Sequence, residues 1–168
     1  MTHIVDSVSL GAIVQVRDRW LDQQAKGHKV LRLESGDPSF DIPPHVREAM
    51  EKALRDGHTH YTASTGIPQL REAILRKVTT ENKLPVTSAD HIVVTNGGMN
   101  GLYILFRALL NPGDEVILPD PMWTEIGENI RLSGGAPVPV RLRPEDNYQY
   151  CPADIQAAIT PRTRGIFV

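Results

Sequence analysis

A glycine turn at residues 97–101 carries the most suggestive chemical pattern in the sequence, because it follows the β-branched run 93–95 and precedes the apolar segment 102–110. This order predicts a strand, a tight turn and a buried helix. Backbone N–H groups at such a turn, together with the partial positive charge of a helix N-terminus, can hold a phosphate group. Glycine lets the anion come close to the backbone. The glycines alone leave an ordinary βα turn open as the alternative.

Other binding or catalytic motifs are weak in this sequence. The turn reads Gly-Gly-Met-Asn-Gly, which matches neither the dinucleotide fingerprint nor the P-loop, and this disfavours both kinds of nucleotide site. His58 and His60 form the only metal-like pair, and we interpret them as solvated loop histidines, so no metal site is predicted. No arrangement of serine, histidine and aspartate stands out by its spacing.

Composition and charge restrict the class of protein. A chain of 168 residues with 40% hydrophobic and 23% charged content can bury one core. The formal net charge of -2 arises from interspersed charges of both signs, so neither nucleic acid nor a membrane is expected as a partner. The single cysteine, Cys151, cannot form an internal disulfide or a cysteine metal site, which fits a reducing compartment. Because we find no signal-peptide pattern and no segment of transmembrane length, we expect a soluble, cytoplasmic protein.

Helical and extended patterns alternate along the chain. The predicted helices cover residues 8–26, 43–54, 68–82, 102–110 and 152–159, with one more that follows the junction at residues 120–123 and runs through Ile126 and Ile130 to the turn at residues 133–135. The predicted strands cover residues 30–33, 91–95, 115–119, 136–140 and 163–168. Strands separated by helices of this length favour parallel crossover units and therefore an α/β fold. Residues 56–66 are polar and rich in small side chains, which predicts a surface loop of the kind in which binding groups concentrate.

Five motifs occur in an order and spacing that are specific when taken together. They lie at residues 36–40 with Pro43, at Tyr61 with Gly66, Leu70 and Arg71, at residues 94–98, at residues 111–116 and at residues 120–123. In this combination the chain resembles the N-terminal portion of the class I/II pyridoxal-phosphate-dependent aminotransferases, which belong to the aspartate aminotransferase superfamily of fold type I. The resemblance covers about residues 7–168.

The resemblance implies a fold and a division into domains. The implied fold is the three-layer αβα large domain of the fold type I enzymes, with a mostly parallel, incomplete sheet and an N-terminal helical arm. Residues 1–42 would form the arm and a small-domain segment, and residues 43–168 the N-terminal part of the PLP-binding large domain. In the family, strands from later in the chain separate the strand matching residues 91–95 from those matching 115–119 and 136–140. We therefore expect a fragment of a longer enzyme, or a chain that works beside another polypeptide, since isolated parallel strands expose their edges.

The resemblance also implies a site for pyridoxal 5′-phosphate. The turn would hold the cofactor phosphate through its backbone amides, as the physical argument also suggests. Trp123 would stack on the pyridine ring, the alternative being a half-buried core tryptophan. Tyr61 would reach across a dimer interface to the partner subunit's cofactor phosphate, the alternative being local packing, and Gly36 would lie beside the substrate carboxylate rather than serve only as a turn glycine. The implied cofactor-binding residues are Gly97, Gly98, Met99, Trp123 and Tyr61, and the implied substrate-binding residue is Gly36.

The resemblance places no catalytic residue in this chain. The family uses a lysine that binds the cofactor covalently, an aspartate at the pyridine nitrogen and usually an arginine for the substrate carboxylate, all of them beyond the matching region. No family motif surrounds any of the lysines, which are Lys26, Lys29, Lys52, Lys77 and Lys83. We expect a homodimeric full-length enzyme that transfers an amino group between an amino acid and a 2-oxo acid, and no transamination by this polypeptide alone. The alternatives are a fold type I lyase or synthase acting on amino acids, a non-catalytic PLP-binding remnant, and an unrelated α/β module that binds another phosphate.

Overall fold

The computed structural model describes residues 11–168, so the predicted helix start at Val8 lies outside the described residues. The chain forms two compact units. The first unit contains the described residues up to Ser35 together with Gly97–Val168, and the second contains Gly36–Asn96. The helices are α1 (Ala12–Ala25), α2 (Pro44–Arg55), α3 (Pro68–Thr80), α4 (Gly97–Leu109), α5 (Glu125–Leu132) and α6 (Pro152–Ala158), and the strands are β1 (Glu115–Asp120), β2 (Ala136–Arg141) and β3 (Thr163–Ile166).

A three-stranded parallel sheet forms the centre of the first unit. Its strand order is β2-β1-β3, with Glu115 opposite Ala136 at one end of the β1–β2 pair and Asp120 opposite Arg141 at the other. The β1–β3 pairing is also parallel, with a register shift between Glu115 and Val116. Helices α5 and α6 connect these strands as parallel crossovers, whereas the crossover predicted between residues 91–95 and 115–119 is absent, because residues 91–95 form no strand in the described structure.

The core of the first unit lies between the sheet and helices α4 and α5. Residues 115–119 of the central strand are all buried, as expected for a parallel strand covered on both faces. Ile117 and Ile130 are 1% and 0% exposed, and burying a side chain of this size contributes about 1.5–3 kcal/mol. The buried cluster consists of Phe106, Val116, Leu118, Ile126 and Ile130, with Met99, Leu102, Leu110, Met122 and Phe167 packed against it.

The arm that precedes the second unit consists of α1 and an extended segment. Gly11 lies so close to α5 that an added Cβ would come within 2.7 Å of the side chains of Thr124 and Glu125. Further along, the guanidinium of Arg32 stacks over the Trp20 ring at 4.2 Å and donates to Glu34. The close approach at Gly11 places the start of the arm against α5, and the contacts of Arg32 join α1 to the extended segment within the arm.

The second unit is helical in its described secondary structure. Arg71 on α3 donates to the carbonyl oxygens of Ala89 and Ile92, at 3.0 and 3.1 Å from its Nε, and pairs with Asp90. The backbone N–H of Val94 donates to the carbonyl of Thr65 at 2.9 Å. Residues 89–95 are therefore fastened both to α3 and to the loop that precedes it.

Two predicted strands are absent from the described secondary structure. Residues 30–33 are extended but pair with no strand, and residues 91–95 form the end of a 3₁₀ turn followed by an extended stretch. A β-branched run becomes a strand only where a neighbouring ladder accepts its backbone groups, and these segments have no such neighbour in the part of the chain described. By contrast, prolines at the first turn predicted the starts of α2, α3 and α6 correctly. No helix among residues 11–168 is long and apolar enough to cross a membrane.

Candidate functional site

The glycine turn forms the first turn of α4, so the helix begins five residues earlier than its apolar segment suggests. Gly97 has a φ of +77°, in the left-handed region that favours glycine. A Cβ added at Gly97 or at Gly98 would meet no heavy atom within 4 Å, which leaves the space in front of the turn open. The N–H groups of a first helical turn have no acceptor within the helix, and this turn contains no acidic residue. The chemistry of this donor set suits an anion such as a phosphate.

Met99 fixes the turn to the body of the first unit. Its side chain packs against the buried cluster, and its sulfur accepts a hydrogen bond from the side-chain amide of Asn129 on α5. The backbone amide of Met99 stays in the first helical turn while the side chain points into the core. The turn is therefore held in place by packing before any ligand arrives.

Trp123 lies between β1 and α5 and is 56% exposed. Its neighbour Met122, rather than the indole, packs against the buried cluster. At this exposure the residue is about half-buried, so its role in stacking stays a prediction beside the alternative of a half-buried core tryptophan. An exposed indole offers a flat apolar surface on which a heteroaromatic ring could stack.

We infer that the glycine turn and Trp123 lie near the carboxyl ends of the strands. Only residues 110–114 separate the end of α4 from the start of β1, and both elements contribute to the buried cluster, which favours an α4 that runs antiparallel to the strand. Met99 and Met122 pack against the same buried cluster. Ligands of open parallel sheets bind outside the carboxyl ends of the strands, which is where this arrangement places both features.

Tyr61 and Gly36 belong to the second unit. Tyr61 is fully exposed, so the described residues give no support to the alternative of local packing. Its loop is anchored at Gly66, where φ is +100° and a Cβ would lie 2.4 Å from a methyl carbon of Val94. Gly36 is also exposed, and a Cβ there would meet nothing within 4 Å.

No side chain in the described chain is placed as a covalent anchor or as a metal ligand set. Lys26, Lys29, Lys52, Lys77 and Lys83 are all exposed, and Lys52 pairs with Asp56 one helical turn away. Among residues 11–168 no group of three or more histidine, cysteine, aspartate or glutamate side chains could hold a metal ion. These exposed lysines lack the burial that tunes a lysine for covalent chemistry.

Asp114 and Glu115, two carboxyl groups whose pKa values are lowered, lie at the opposite end of the sheet, where β1 begins. Glu115 is 6% exposed; the hydroxyl of Thr160, and after it the guanidinium of Arg162, hold the pKa of the Glu115 carboxyl below its ordinary value. The backbone N–H of Asn111, followed by Arg164, lowers the pKa of Asp114. Sequence reasoning missed this network, because its members are 45 or more residues apart and no local motif marks them. Since the network lies at the amino ends of the strands, its role is to join β1 to β3.

Comparison with known proteins identifies the class of this fold and site. Solved structures that match this chain are aminotransferases. One is an aspartate aminotransferase from Thermus thermophilus with maleate, with a TM-score of 0.93 and 40% identity; the match covers 100% of this chain and 44% of the Thermus thermophilus chain. Another is an alanine aminotransferase from Pyrococcus furiosus, with a TM-score of 0.91 and 36% identity; the match covers 99% of this chain and 42% of the Pyrococcus furiosus chain. The predicted fold class, the incomplete α/β large domain of the fold type I enzymes, is confirmed.

The family follows from the sequence comparison. The model for aminotransferase class I and II matches residues 28–168, and the chain belongs to this family. A probable aspartate/prephenate aminotransferase from Thermus aquaticus is 43% identical over 168 residues, which are 100% of this chain and 44% of the relative. An aspartate/prephenate aminotransferase from Thermus thermophilus is 41% identical over the same 168 residues, which are 43% of the length of that relative. The chain thus spans less than half the length of these relatives and matches their N-terminal portion.

Proposed function

We propose that this chain is the N-terminal part of a PLP-dependent aminotransferase that transfers an amino group between an amino acid and a 2-oxo acid. The observation that carries the proposal is the open glycine turn at the start of α4, together with an exposed Trp123 between β1 and α5. The family membership supports the same reaction. The relatives' names make aspartate the first amino acid to test, and the Pyrococcus furiosus structure makes alanine the second.

The residues of the first unit fit the cofactor's phosphate and ring. The backbone amides of Gly97, Gly98 and Met99 would donate to the phosphate, and the indole of Trp123 would hold the ring in one orientation. When bound, PLP supplies the electron sink that stabilises negative charge at the α-carbon of the amino acid. The side chains of this chain position the group, and none of them moves a proton in our proposal.

The residues of the second unit would complete the site in a homodimer. Tyr61 would donate from its phenol to the cofactor phosphate in the partner subunit, which gives its full exposure a reason. Gly36 would let the substrate carboxylate lie against the backbone, since no side chain blocks its approach. We divide the chain into an arm and small-domain segment at residues 1–42 and a PLP-binding part at residues 43–168. The single cysteine supports a cytoplasmic location.

Catalysis requires groups that we place outside this chain, namely the covalent lysine, the aspartate at the pyridine nitrogen and the arginine for the substrate carboxylate. The exposure of the five lysines supports this placement. The chain alone therefore does not transaminate. Activity appears when the chain is coexpressed with the C-terminal remainder of the Thermus thermophilus relative, a preparation that we call the coexpressed complex.

The test compares the isolated chain with the coexpressed complex. PLP is added to each, its ³¹P resonance and the tryptophan fluorescence are followed, and borohydride reduction is then used to trap any covalent lysine adduct. We expect a shifted ³¹P resonance, a trapped lysine and aspartate-dependent transamination in the complex, and neither a trapped lysine nor transamination in the isolated chain. A specifically labelled lysine within residues 1–168 would overturn our placement of the covalent lysine. An unshifted ³¹P resonance in the complex would overturn the cofactor site.

A further inference from the structure

The segment that leads into Gly36 has no backbone support within the described chain. Residues 29–42 belong to no helix or strand, and no backbone hydrogen bond joins them to any other described residue. The last backbone bond before the segment is at His28, whose N–H donates to the carbonyl of Gln23 on α1 at 3.0 Å. The ring Nδ1 of His28 also lies 2.6 Å from the side-chain oxygen of Gln23. Beyond this point, side-chain contacts must determine where the segment lies.

Neighbouring side chains of this extended segment differ strongly in their exposure. Leu31 and Leu33 are 85% and 95% exposed, whereas the side chain of Glu34 is 8% exposed. Successive residues of an extended chain direct their side chains to opposite sides, so Arg32 and Glu34 share one side and the two leucines share the other. A glutamate is almost never buried to this extent unless it is paired. The buried side of the segment is therefore its charged side.

Arg32 pairs with Glu34 and stacks on α1 at the same time. Its Nε and one terminal nitrogen donate to Oε1 of Glu34 at 2.9 and 2.6 Å, and its guanidinium carbon lies 4.2 Å from the centre of the Trp20 ring. These donations hold the pKa of the Glu34 carboxyl below its ordinary value. Hydrogen bonds between charged groups are the strong ones, and a guanidinium is attracted to the face of an indole. We call Trp20, Arg32 and Glu34 the arm clasp.

We propose that the arm clasp positions Gly36 for the substrate carboxylate, an inference that rests on the proposed function of Gly36. Glu34 stands two residues before Gly36. Consecutive Cα atoms are about 3.8 Å apart, so a fixed Glu34 confines the Cα of Gly36 to within about 7.6 Å. Arg32 also balances the charge of a carboxylate that would otherwise repel an anionic substrate at this distance. The three clasp residues are thus positioning residues, which act through the backbone at Gly36.

Steady-state kinetics of the coexpressed complex with PLP test the positioning role. A contact with the substrate carboxylate is present both before and during the reaction, so weakening it raises KM and leaves kcat unchanged. We expect Arg32→Leu and Trp20→Leu to raise the KM for the amino acid at least about fivefold, with unchanged kcat and PLP affinity. Trp20→Phe keeps an aromatic face and should restore most of the loss. Arg17→Leu, which removes a charge from an exposed position of α1, is the matched control. An unchanged KM in Arg32→Leu, or an equal rise in the control, would overturn the proposal.

Limited proteolysis of the full chain without cofactor tests the clasp independently of activity. Endoproteinase Glu-C cleaves after glutamate, and the buried Glu34 side chain is protected while the clasp is closed. Arg32→Leu and Trp20→Leu should speed cleavage after Glu34 at least about tenfold. Cleavage after Glu51 on α2 should stay unchanged, which excludes general unfolding. Equal rates of cleavage after Glu34 in the variants and the unaltered chain would overturn the clasp. A complex of the unaltered chain that binds no PLP would instead overturn the proposed function, and the proteolysis result does not depend on it.

Discussion

Replacing Gly98 by alanine should separate the stability of α4 from its ability to hold a phosphate. Gly98 lies in the first turn of α4, has no positive φ, and has no heavy atom within 4 Å of its would-be Cβ. Alanine is favoured over glycine in a helix by up to about 1 kcal/mol. The coexpressed complex should therefore unfold at the same or a slightly higher denaturant concentration.

The same methyl group projects into space that no neighbouring heavy atom occupies, and this is the space proposed for the phosphate. If it displaces the anion from one backbone N–H, the lost charged hydrogen bond costs about 1.5–3 kcal/mol, which raises the dissociation constant of PLP roughly 10- to 150-fold. The assay is a titration of the coexpressed complex with PLP, followed by ³¹P resonance, beside an unfolding curve for the same preparation.

Gly127→Ala is the matched control for this variant. Gly127 lies in α5, and its added Cβ would make an ordinary contact at 3.7 Å with Arg131. This variant should gain helix stability without losing PLP affinity. If Gly98→Ala and Gly127→Ala bind PLP equally well, the glycine turn does not hold the phosphate, and the reasoning that assigns it this role is refuted.

Three further predictions concern the scaffold. Gly66→Ala should destabilise the coexpressed complex by about 1–3 kcal/mol, because φ is +100° and the added Cβ would lie 2.4 Å from a methyl carbon of Val94. The control Gly57→Ala should lower the free energy of unfolding less, because φ there is +80° but no heavy atom lies within 4 Å of the added Cβ. Equal losses of stability in the two unfolding curves would contradict the clash with Val94. Thr160 and Arg162 lower the pKa of Glu115, so the stability that Glu115 contributes is present at pH values above its ordinary pKa and is lost as pH falls through its lowered pKa. Glu115→Gln should therefore reduce the loss of stability at acid pH. An unchanged acid part of the curve of stability against pH would argue against this network. The isolated, monomeric chain should unfold without a cooperative transition in circular dichroism, because its strand edges are open, and a sharp transition would count against that view.

Local signals predicted most of the helices and the three strands, but not what joins them. Proline at the first turn and the Asn-Pro-Gly turn before β1 act within a few residues, so they can be read from the sequence alone. The segments 30–33 and 91–95 have strand-like composition, yet whether they pair depends on distant backbone, and they do not pair in the described structure. The bonds from Glu115 to Thr160 and from Arg71 to Ala89 likewise connect positions that no periodicity relates.

The candidate site shows the same division. The Gly97–Gly98 turn is a candidate because the glycines stand directly before an apolar run, whereas Trp123 is a candidate only through the family resemblance of its motif. The contact between Asn129 and Met99 could not be predicted, since thirty residues and a complete strand separate the two side chains. That contact and the core packing of Met99 hold the turn in place. The geometry of the motif therefore depends on Asn129, which lies outside the motif.

The arrangement of the first unit separates holding a cofactor from using it. Met99 and Met122 pack on one buried cluster, which fixes the glycine turn and Trp123 relative to the sheet by packing within this unit alone. A phosphate would therefore find its donors already in place, and binding it requires little further ordering of the chain. Covalent chemistry requires a buried, activated lysine, and the lysines here are exposed. The remaining polypeptide should consequently supply the reactive groups while the turn supplies the phosphate donors, and unchanged PLP affinity in the Gly98→Ala complex would mean that the turn does not hold the phosphate.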